Sequence, residues 1–358
     1  MRHQEESRNA KVDTPKLSIC IATYNRARFI GTTLNTILEQ ITAECEIVVV
    51  DGGSTDETDQ VLSEFCRNSA CIRYIRRLEN GGVDADYDYA VESARGTYCW
   101  LFSDDDLMKF DAIKTILTAI EGAPSLLVVN GEHRDFLMET VHVPNYLSID
   151  SDRLYRRDEM GKMFDEIGTC LVCICCVVIN RGVWLNSSRR RYFGSRFIHV
   201  GVILEKPLPG NIIAIAKPLM MLRLGNTQSA QLAGGKVWFV DWPALIWSSC
   251  LPVTTKMAFC HPEPWRRARY LMPLRVLGYY SMIEYRQWFD PSSLSTFTRI
   301  IPRSIALLPR TLVRFVYASY SIATNAPWDC KRVLATMFPK SLQALSEADC
   351  AIQTNYPD

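Results

Sequence analysis

Residues 46–58 read Glu-Ile-Val-Val-Val-Asp-Gly-Gly-Ser-Thr-Asp-Glu-Thr. The run 46–50 has the length and composition of a buried strand. It ends on Asp51, and two glycines then permit a tight turn. Ser54, Thr55 and Asp56 supply side-chain oxygens that can cap a following helix. An Asp at a strand end can equally accept a hydrogen bond from a nucleotide base or a ribose hydroxyl. Both readings of Asp51 stand at this point.

Similar runs lie on either side. Residues 17–22 (Leu-Ser-Ile-Cys-Ile-Ala) and 98–102 (Tyr-Cys-Trp-Leu-Phe) are further strands. Between the strands, Ile30, Leu34, Ile37, Leu38 and Ile41 share one helical face. Val61, Leu62 and Phe65 share a second, and Ala90, Val91 and Ala94 a third. Strands alternating with helices predict an α/β fold, a mostly parallel sheet flanked by helices. Ligands bind such sheets at the carboxyl ends of the strands. The loops there are Thr23-Tyr24-Asn25-Arg26, Asp51 to Asp56, and Ser103-Asp104-Asp105-Asp106. Three adjacent carboxylates repel one another unless they are exposed or a hard divalent cation lies among them.

Composition excludes some classes. The 358 residues carry 40 Lys and Arg against 39 Asp and Glu, a formal +1, which argues against a general nucleic-acid binder. With 48% hydrophobic and 22% charged residues the chain is globular, not disordered. The balance hides an asymmetry. Residues 44–106 hold 15 acidic residues and five arginines, whereas 265–320 hold nine arginines and two acidic residues among many aromatics. Such a basic, aromatic segment suits helices lying on an anionic membrane surface. It equally suits a helical subdomain whose arginines pair with the acidic front half. Residues 1–16 contain no apolar leader and no apolar run is long enough to span a bilayer, so a cytoplasmic protein is expected, peripheral at the inner membrane if the basic segment binds lipid.

The 13 cysteines read as free thiols. Cys170, Cys173, Cys175 and Cys176 alternate with apolar residues and read as a buried strand. No second Cys/His pair follows at zinc-ribbon spacing. A domain change falls in the Pro- and Gly-rich stretch 205–235.

The set of three strand-end loops resembles the family 2 glycosyltransferases of the glycosyltransferase-A fold. The stretches that carry it are LSICIATYNRARFIGTTLNTIL, EIVVVDGGSTDET and RGTYCWLFSDDDLM, between about Lys16 and Ile120. YCWLFSDDD with the preceding GGVDADYDYAVESARG is closest to the abequosyltransferase-like branch, which adds deoxysugars to bacterial surface polysaccharides. The chain is read as a tail at residues 1–15, a catalytic domain at 16–235 and a helical extension at 236–358. The resemblance implies that Thr23, Tyr24, Asn25, Arg26 and Asp51 meet the nucleotide, with Arg28 nearby. Asp84 and Asp86 match a donor-side loop. Asp104 and Asp106 match the two ends of the metal-binding DXD motif, with Asp105 beside them at the sugar nucleotide. Ser103 stands where the commonest pattern has Asp, which leaves the choice among the three aspartates open.

The implied reaction is inverting transfer from a nucleotide-sugar donor to a saccharide or lipid-linked acceptor, assisted by Mg²⁺ or Mn²⁺. No GxxxxGK phosphate cradle occurs, so the cation must neutralise the diphosphate. A base must take the acceptor proton. The Glu-Asp pair that usually supplies it is missing, and His199 in RYFGSRFIHVGVIL stands in its place, with Glu205 as fallback. A hydrogen-bonded core histidine is the bland reading of His199. Arg189, Arg190 and Arg191 face a phosphate or simply solvent. The competing functions are a nucleotidyltransferase and a non-catalytic sugar-nucleotide scaffold.

Overall fold

The computed structural model describes residues 14–226, 235–289, 295 and 297–323. The first half alternates as expected. Strand β1 (Leu17–Thr23) leads to helix α1 (Ala27–Leu38), β2 (Cys45–Asp51) to α2 (Thr58–Asn68), and β3 (Ile72–Arg76) to α3 (Val83–Ser93). Strand β4 (Tyr98–Phe102) is followed by the short β5 (Leu107–Met108), α4 (Ala112–Ile120) and β6 (Leu126–Arg134). β7 (Val141–Val143), β8 (Arg153–Tyr155), β9 (Val177–Asn180) and β10 (Ile212–Arg223) complete one sheet.

The sheet order is β3-β2-β1-β4-β9-β6-β10-β5, with β7 on β6 and β8 on β10. The pairs β1–β2, β2–β3, β1–β4 and β6–β10 are parallel. β9 runs antiparallel between β4 and β6. Every residue of β1, β2 and β4 is buried, as strands covered on both faces require. α1 buries Ile30, Thr33, Leu34 and Ile37, the stripe read from the sequence.

Two polar residues inside these strands have complete partners. Ser18 Oγ donates to Glu46 Oε1 at 2.7 Å, and Glu46 also accepts from Arg95 N and Nε. Gly96 N donates to Ser18 Oγ, and a Cβ at Gly96 would sit 2.6 Å from that oxygen. This stitch closes the amino ends of the strands, opposite the loops of interest.

One expectation is corrected. The cysteine segment is not a continuous strand: 3₁₀ turns at Gly168–Val172 and Ile174–Cys176 precede β9, and only Val177 onward pairs in the sheet. Packing on the main core continues past residue 235. Val237, Trp242, Leu245, Ile246, Leu251 and Phe259 belong to the main core. A second core begins beyond them, around Trp265, Leu271, Leu274, Tyr280 and Trp288. It is built by α10 (Ala268–Leu277), α11 (Met282–Trp288) and α12 (Ile300–Leu307), after α5 (Met160–Ile167), α6 (Arg181–Leu185), α7 (Ile198–Leu204), α8 (Trp242–Ser248) and α9 (Val253–Phe259); α13 (Arg310–Ala323) follows. The expected tail falls mostly in residues 1–13, and much of the expected extension in 324–358, both outside the described residues.

Candidate active site

The loops after β1, β2 and β4 meet at the carboxyl edge of the sheet. Asn25 holds a left-handed backbone (φ 55°), which Asn tolerates better than most residues. Its N–H donates to Ser54 Oγ at 2.9 Å, and its Oδ1 accepts from Thr55 N at 2.8 Å. Arg26 N donates to Thr58 Oγ1, and Ala27 N to Asp56 Oδ2. Asp56 also caps α2 through Thr58 N. The first two loops thus form one laced surface, with the Tyr24 ring exposed on it.

Asp51 is fully buried at the centre of that lacing. Its Oδ1 accepts from Ser54 N at 2.8 Å and Ser54 Oγ at 2.6 Å, and its Oδ2 from the Tyr74 hydroxyl at 3.0 Å. Arg76 Nε lies 3.8 Å away. Turn formation therefore accounts for the bonds of Asp51. Gly53 needs its glycine, with φ at 82°. So does Gly52, whose Cβ would sit 2.8 Å from Asp86 Oδ2.

α3 buries three aspartates, each with its own partner. Asp86 pairs with Arg77 at 2.6 Å, beside Gly52. Asp88 accepts from Trp184 Nε1 at 2.9 Å and from Arg189 at 2.7 Å. Asp84 accepts from the backbone N–H of Arg196 (2.8 Å) and Ile198 (3.1 Å). Burial pushes the Asp84 carboxyl up to about 6 against these bonds. Asp84 ties α3 to the start of α7. Arg189 is spent on Asp88 and Glu92, so it does not face a phosphate.

The acidic turn after β4 divides its three carboxylates. Asp104 lies beside the Thr23 hydroxyl and 3.6 Å from Arg26 Nε. Burial, and then the neighbouring Asp105, push its carboxyl up to about 7, with Arg26 opposing. Asp105 is half-buried and accepts from Asn226 Nδ2 at 2.6 Å, and Asn226 Oδ1 accepts from Arg26 at 3.2 Å. Asp106 turns inward. Its Oδ2 meets Ser103 Oγ at 2.6 Å and Cys175 Sγ at 3.2 Å, and its Oδ1 accepts from Arg223 N at 2.7 Å. α1 fixes this turn, with Thr33 Oγ1 on Asp106 O and Thr36 Oγ1 on Met108 N. The pair facing the loops is thus Asp104 and Asp105, not Asp104 and Asp106. Carboxylate oxygens are the donors that a hard divalent cation takes.

Sequence reading missed two residues at this edge. Arg223 follows β10 and donates through Nε to Asp105 O at 3.0 Å. Its guanidinium lies 5.1 Å from the Phe29 ring centre, and that of Arg28 5.0 Å from Phe136. Asn226 is the second. Their signal was a strand end, Leu222-Arg223-Leu224-Gly225-Asn226, in a part of the chain where no strand had been read.

His199 lies in the core at 1% exposure. Its Nε2 is 2.8 Å from Leu171 O, so Nε2 carries the proton and donates. Burial lowers its pKa to about 4. A base so weak and covered does not fit proton abstraction at neutral pH, which corrects the expectation placed on it. Glu205 is held by Ser188 N at 2.9 Å.

With this geometry in place, comparison with known proteins is informative. The pattern described as Glycosyl transferase family 2 matches residues 18–183. This segment is a family 2 glycosyltransferase domain. It spans β1 to α6 and contains all three loops. The abequosyltransferase RfbV of Salmonella typhimurium is 25% identical over 248 residues, 64% of this chain and 73% of that one. A PGL/p-HBAD biosynthesis glycosyltransferase of Mycobacterium bovis is 34% identical over 39% of this chain and 54% of its own length. The structure of S. aureus TarS 1–349 in complex with UDP superposes with a TM-score of 0.52 at 15% identity, covering 95% of this chain and 88% of that one. The fold is therefore the glycosyltransferase-A fold, and the protein is a glycosyltransferase. The family match sets the nucleotidyltransferase alternative aside. No helix among the described residues is long and apolar enough to cross a membrane.

Proposed function

We propose that this glycosyltransferase transfers a sugar from a nucleoside-diphosphate donor to a saccharide or lipid-linked acceptor in bacterial surface-polysaccharide assembly, with inversion and with Mg²⁺ or Mn²⁺. The observation that carries the donor half is the convergence of Tyr24, Arg26, Asp104 and Asp105 at one sheet edge. The Salmonella relative's name supports a deoxysugar among the candidate donors.

In this reading the base lies on the exposed Tyr24 ring, against the turn that Asp51 holds shut. Asp104 and Asp105 would hold the cation, which would supply charge to stabilise a departing diphosphate. Arg26, Arg28 and Arg223 ring the same edge and add positive charge where the phosphates lie. Arg77 and Asp86 buttress Gly52, so the base loop cannot collapse. His199 positions the 171–175 segment rather than moving a proton.

The basic segment is read as a membrane-surface element. Arg275 and Arg310 are committed to carbonyls, Leu308 O for the first and Val276 O and Leu277 O for the second. Arg266 pairs with Glu263. Ile300, Ile301, Leu307, Leu312, Phe315 and Val316 remain exposed along α12 and α13, interspersed with Arg303 and Arg314. Exposed apolar side chains with arginines suit an anionic lipid surface, which also brings the enzyme to a lipid-linked acceptor.

The test is a panel of nucleotide sugars incubated with the full chain, Mn²⁺ and a bacterial lipid-oligosaccharide fraction, read as nucleoside diphosphate release. One donor should be turned over, and EDTA should stop it. Release that is equal with EDTA would refute the cation, and no release with any donor would refute the reading of the donor site.

A further inference from the structure

Beneath the acidic turn lies a cluster that glycosyl transfer leaves unused. The Cys173 and Cys175 sulfurs and a carboxylate oxygen of Asp106 all lie within 4.8 Å of one another. We propose that Cys173, Cys175 and Asp106 form a second cation site, for a thiophilic divalent ion of the Zn²⁺ class, on the protein side of the turn. This site goes beyond the glycosyl-transfer reading and is separate from the oxygen site of Asp104 and Asp105.

Ligands of one tetrahedral zinc stand about 3–4 Å apart, given bond lengths of about 2.0–2.3 Å. The Cys175 sulfur is already 3.2 Å from Asp106 Oδ2. Two thiolates select a soft or borderline cation over Mg²⁺, which prefers oxygen alone. The local fold explains the convergence. The 3₁₀ turns at Gly168–Val172 and Ile174–Cys176 break the strand on both sides of Cys173. Cys173 is only half-buried, which leaves a way in, whereas Cys175 is fully buried.

A second observation points to the same ligand. The His199 ring donates Nε2–H to a backbone carbonyl, and its Nδ1 is buried with no hydrogen-bond partner. A metal-ligating imidazole has just this arrangement, one nitrogen fixed by an outer acceptor and the other lone pair free. Both ring nitrogens of His133, a buried residue, also lack partners. A buried imidazole nitrogen without a partner is costly. A search for zinc-ribbon spacing could not find this set, because Asp106 comes from a distant element.

Binding converts two thiols to thiolates and releases their protons to solvent, so apparent affinity rises with pH. The experiment uses the full chain, reduced and stripped of metal, titrated with Co²⁺. A thiolate-to-cobalt charge-transfer band should saturate at one equivalent. One equivalent of Zn²⁺ should abolish it, and a large excess of Mg²⁺ should not. The double variant Cys173→Ser, Cys175→Ser should lose the band, and Cys250→Ser, at an exposed cysteine, should keep it. A wild-type measurement covers the case in which the double variant fails to fold. One equivalent of Zn²⁺ should slow alkylation of Cys173 at least tenfold, read by peptide mass spectrometry, with Cys250 unaffected. Absence of the band in wild type, its persistence in a folded double variant, or equal alkylation of Cys173 with and without Zn²⁺ would each overturn the proposal.

Discussion

Arg26 Nε lies 3.6 Å from Asp104 Oδ1, and both side chains are about nine-tenths buried. The contact joins the loop after β1 to the turn after β4, and Asn226 extends it to Asp105. One guanidinium therefore offsets the repulsion between two carboxylates and borders the proposed phosphate position. Arg26→Met should weaken nucleoside-diphosphate binding in Mn²⁺ roughly tenfold, about 1.4 kcal/mol. Calorimetric titration measures this directly. An unchanged dissociation constant would remove Arg26 from the donor site.

Gly52 has no room for a methyl group. Its Cβ would stand 2.8 Å from Asp86 Oδ2, which Arg77 holds from the other side. Gly52→Ala should shift the Asp51–Ser54 turn and cost about 1–3 kcal/mol, as overpacking does. Urea unfolding measures the cost, and nucleotide binding should fall with it. Full stability together with full binding would mean that the turn adapts freely.

Asp84 links stability to pH. Its carboxyl sits at about 6 in the fold against about 4 in an unfolded chain. A raised pKa contributes stability that is present below the unfolded value and lost as pH rises through the folded one. Asp84→Ala removes that contribution and the bonds to Arg196 N and Ile198 N. The stability difference between wild type and variant should shrink by about 2 kcal/mol from pH 4 to pH 6 and then level off. A difference constant across that window would place the titration elsewhere.

His199 separates a positioning role from a catalytic one. Its Nε2–H is the partner of Leu171 O. His199→Ala leaves that carbonyl unsatisfied and a cavity in the core, which should cost about 2–4 kcal/mol. His199→Gln, which can donate the same bond, should recover part of the stability and of the turnover. A fully stable His199→Ala protein that binds donor but does not turn over would restore the histidine as the base.

The outer faces of α12 and α13 can be examined with lipid. The full chain should cosediment with vesicles rich in phosphatidylglycerol and less with neutral ones, and high salt should weaken binding. Phe315→Ser with Arg314→Gln should reduce binding severalfold without changing the melting temperature, because both side chains are exposed. Equal recovery with neutral and anionic vesicles would contradict the surface reading.

The donor half was legible because its signals are local. A strand, a turn and a cap occupy a dozen consecutive residues in 46–58, and strand-end loops are predictable binding positions. What sequence could not show was where each carboxylate points. Asp104, Asp105 and Asp106 are identical in type, and only Arg26, Asn226 and Cys175, from three distant stretches, sort them into outward and inward groups. Asp51 is a similar case. Its two readings shared one residue, and Tyr74 and Ser54 settle its bonds. The 170–176 segment misled because buried cysteines in 3₁₀ turns and in a strand have the same apolar composition. The arrangement around β10 was invisible for a related reason: that strand lies about a hundred residues beyond the loops it completes.

The central claim is that Asp104 and Asp105 hold a cation that binds donor. The most direct measurement is thermal unfolding of wild type, Asp104→Asn and Asp105→Asn with a panel of nucleoside diphosphates, each with and without Mn²⁺. A ligand at one hundred times its dissociation constant adds about 2.7 kcal/mol, a readily measured shift. The account predicts that one nucleotide stabilises the wild type only with Mn²⁺, and that both variants lose this shift while keeping their own folded baseline. Equal stabilisation with and without Mn²⁺, or a full Mn²⁺-dependent shift in both variants, would contradict it.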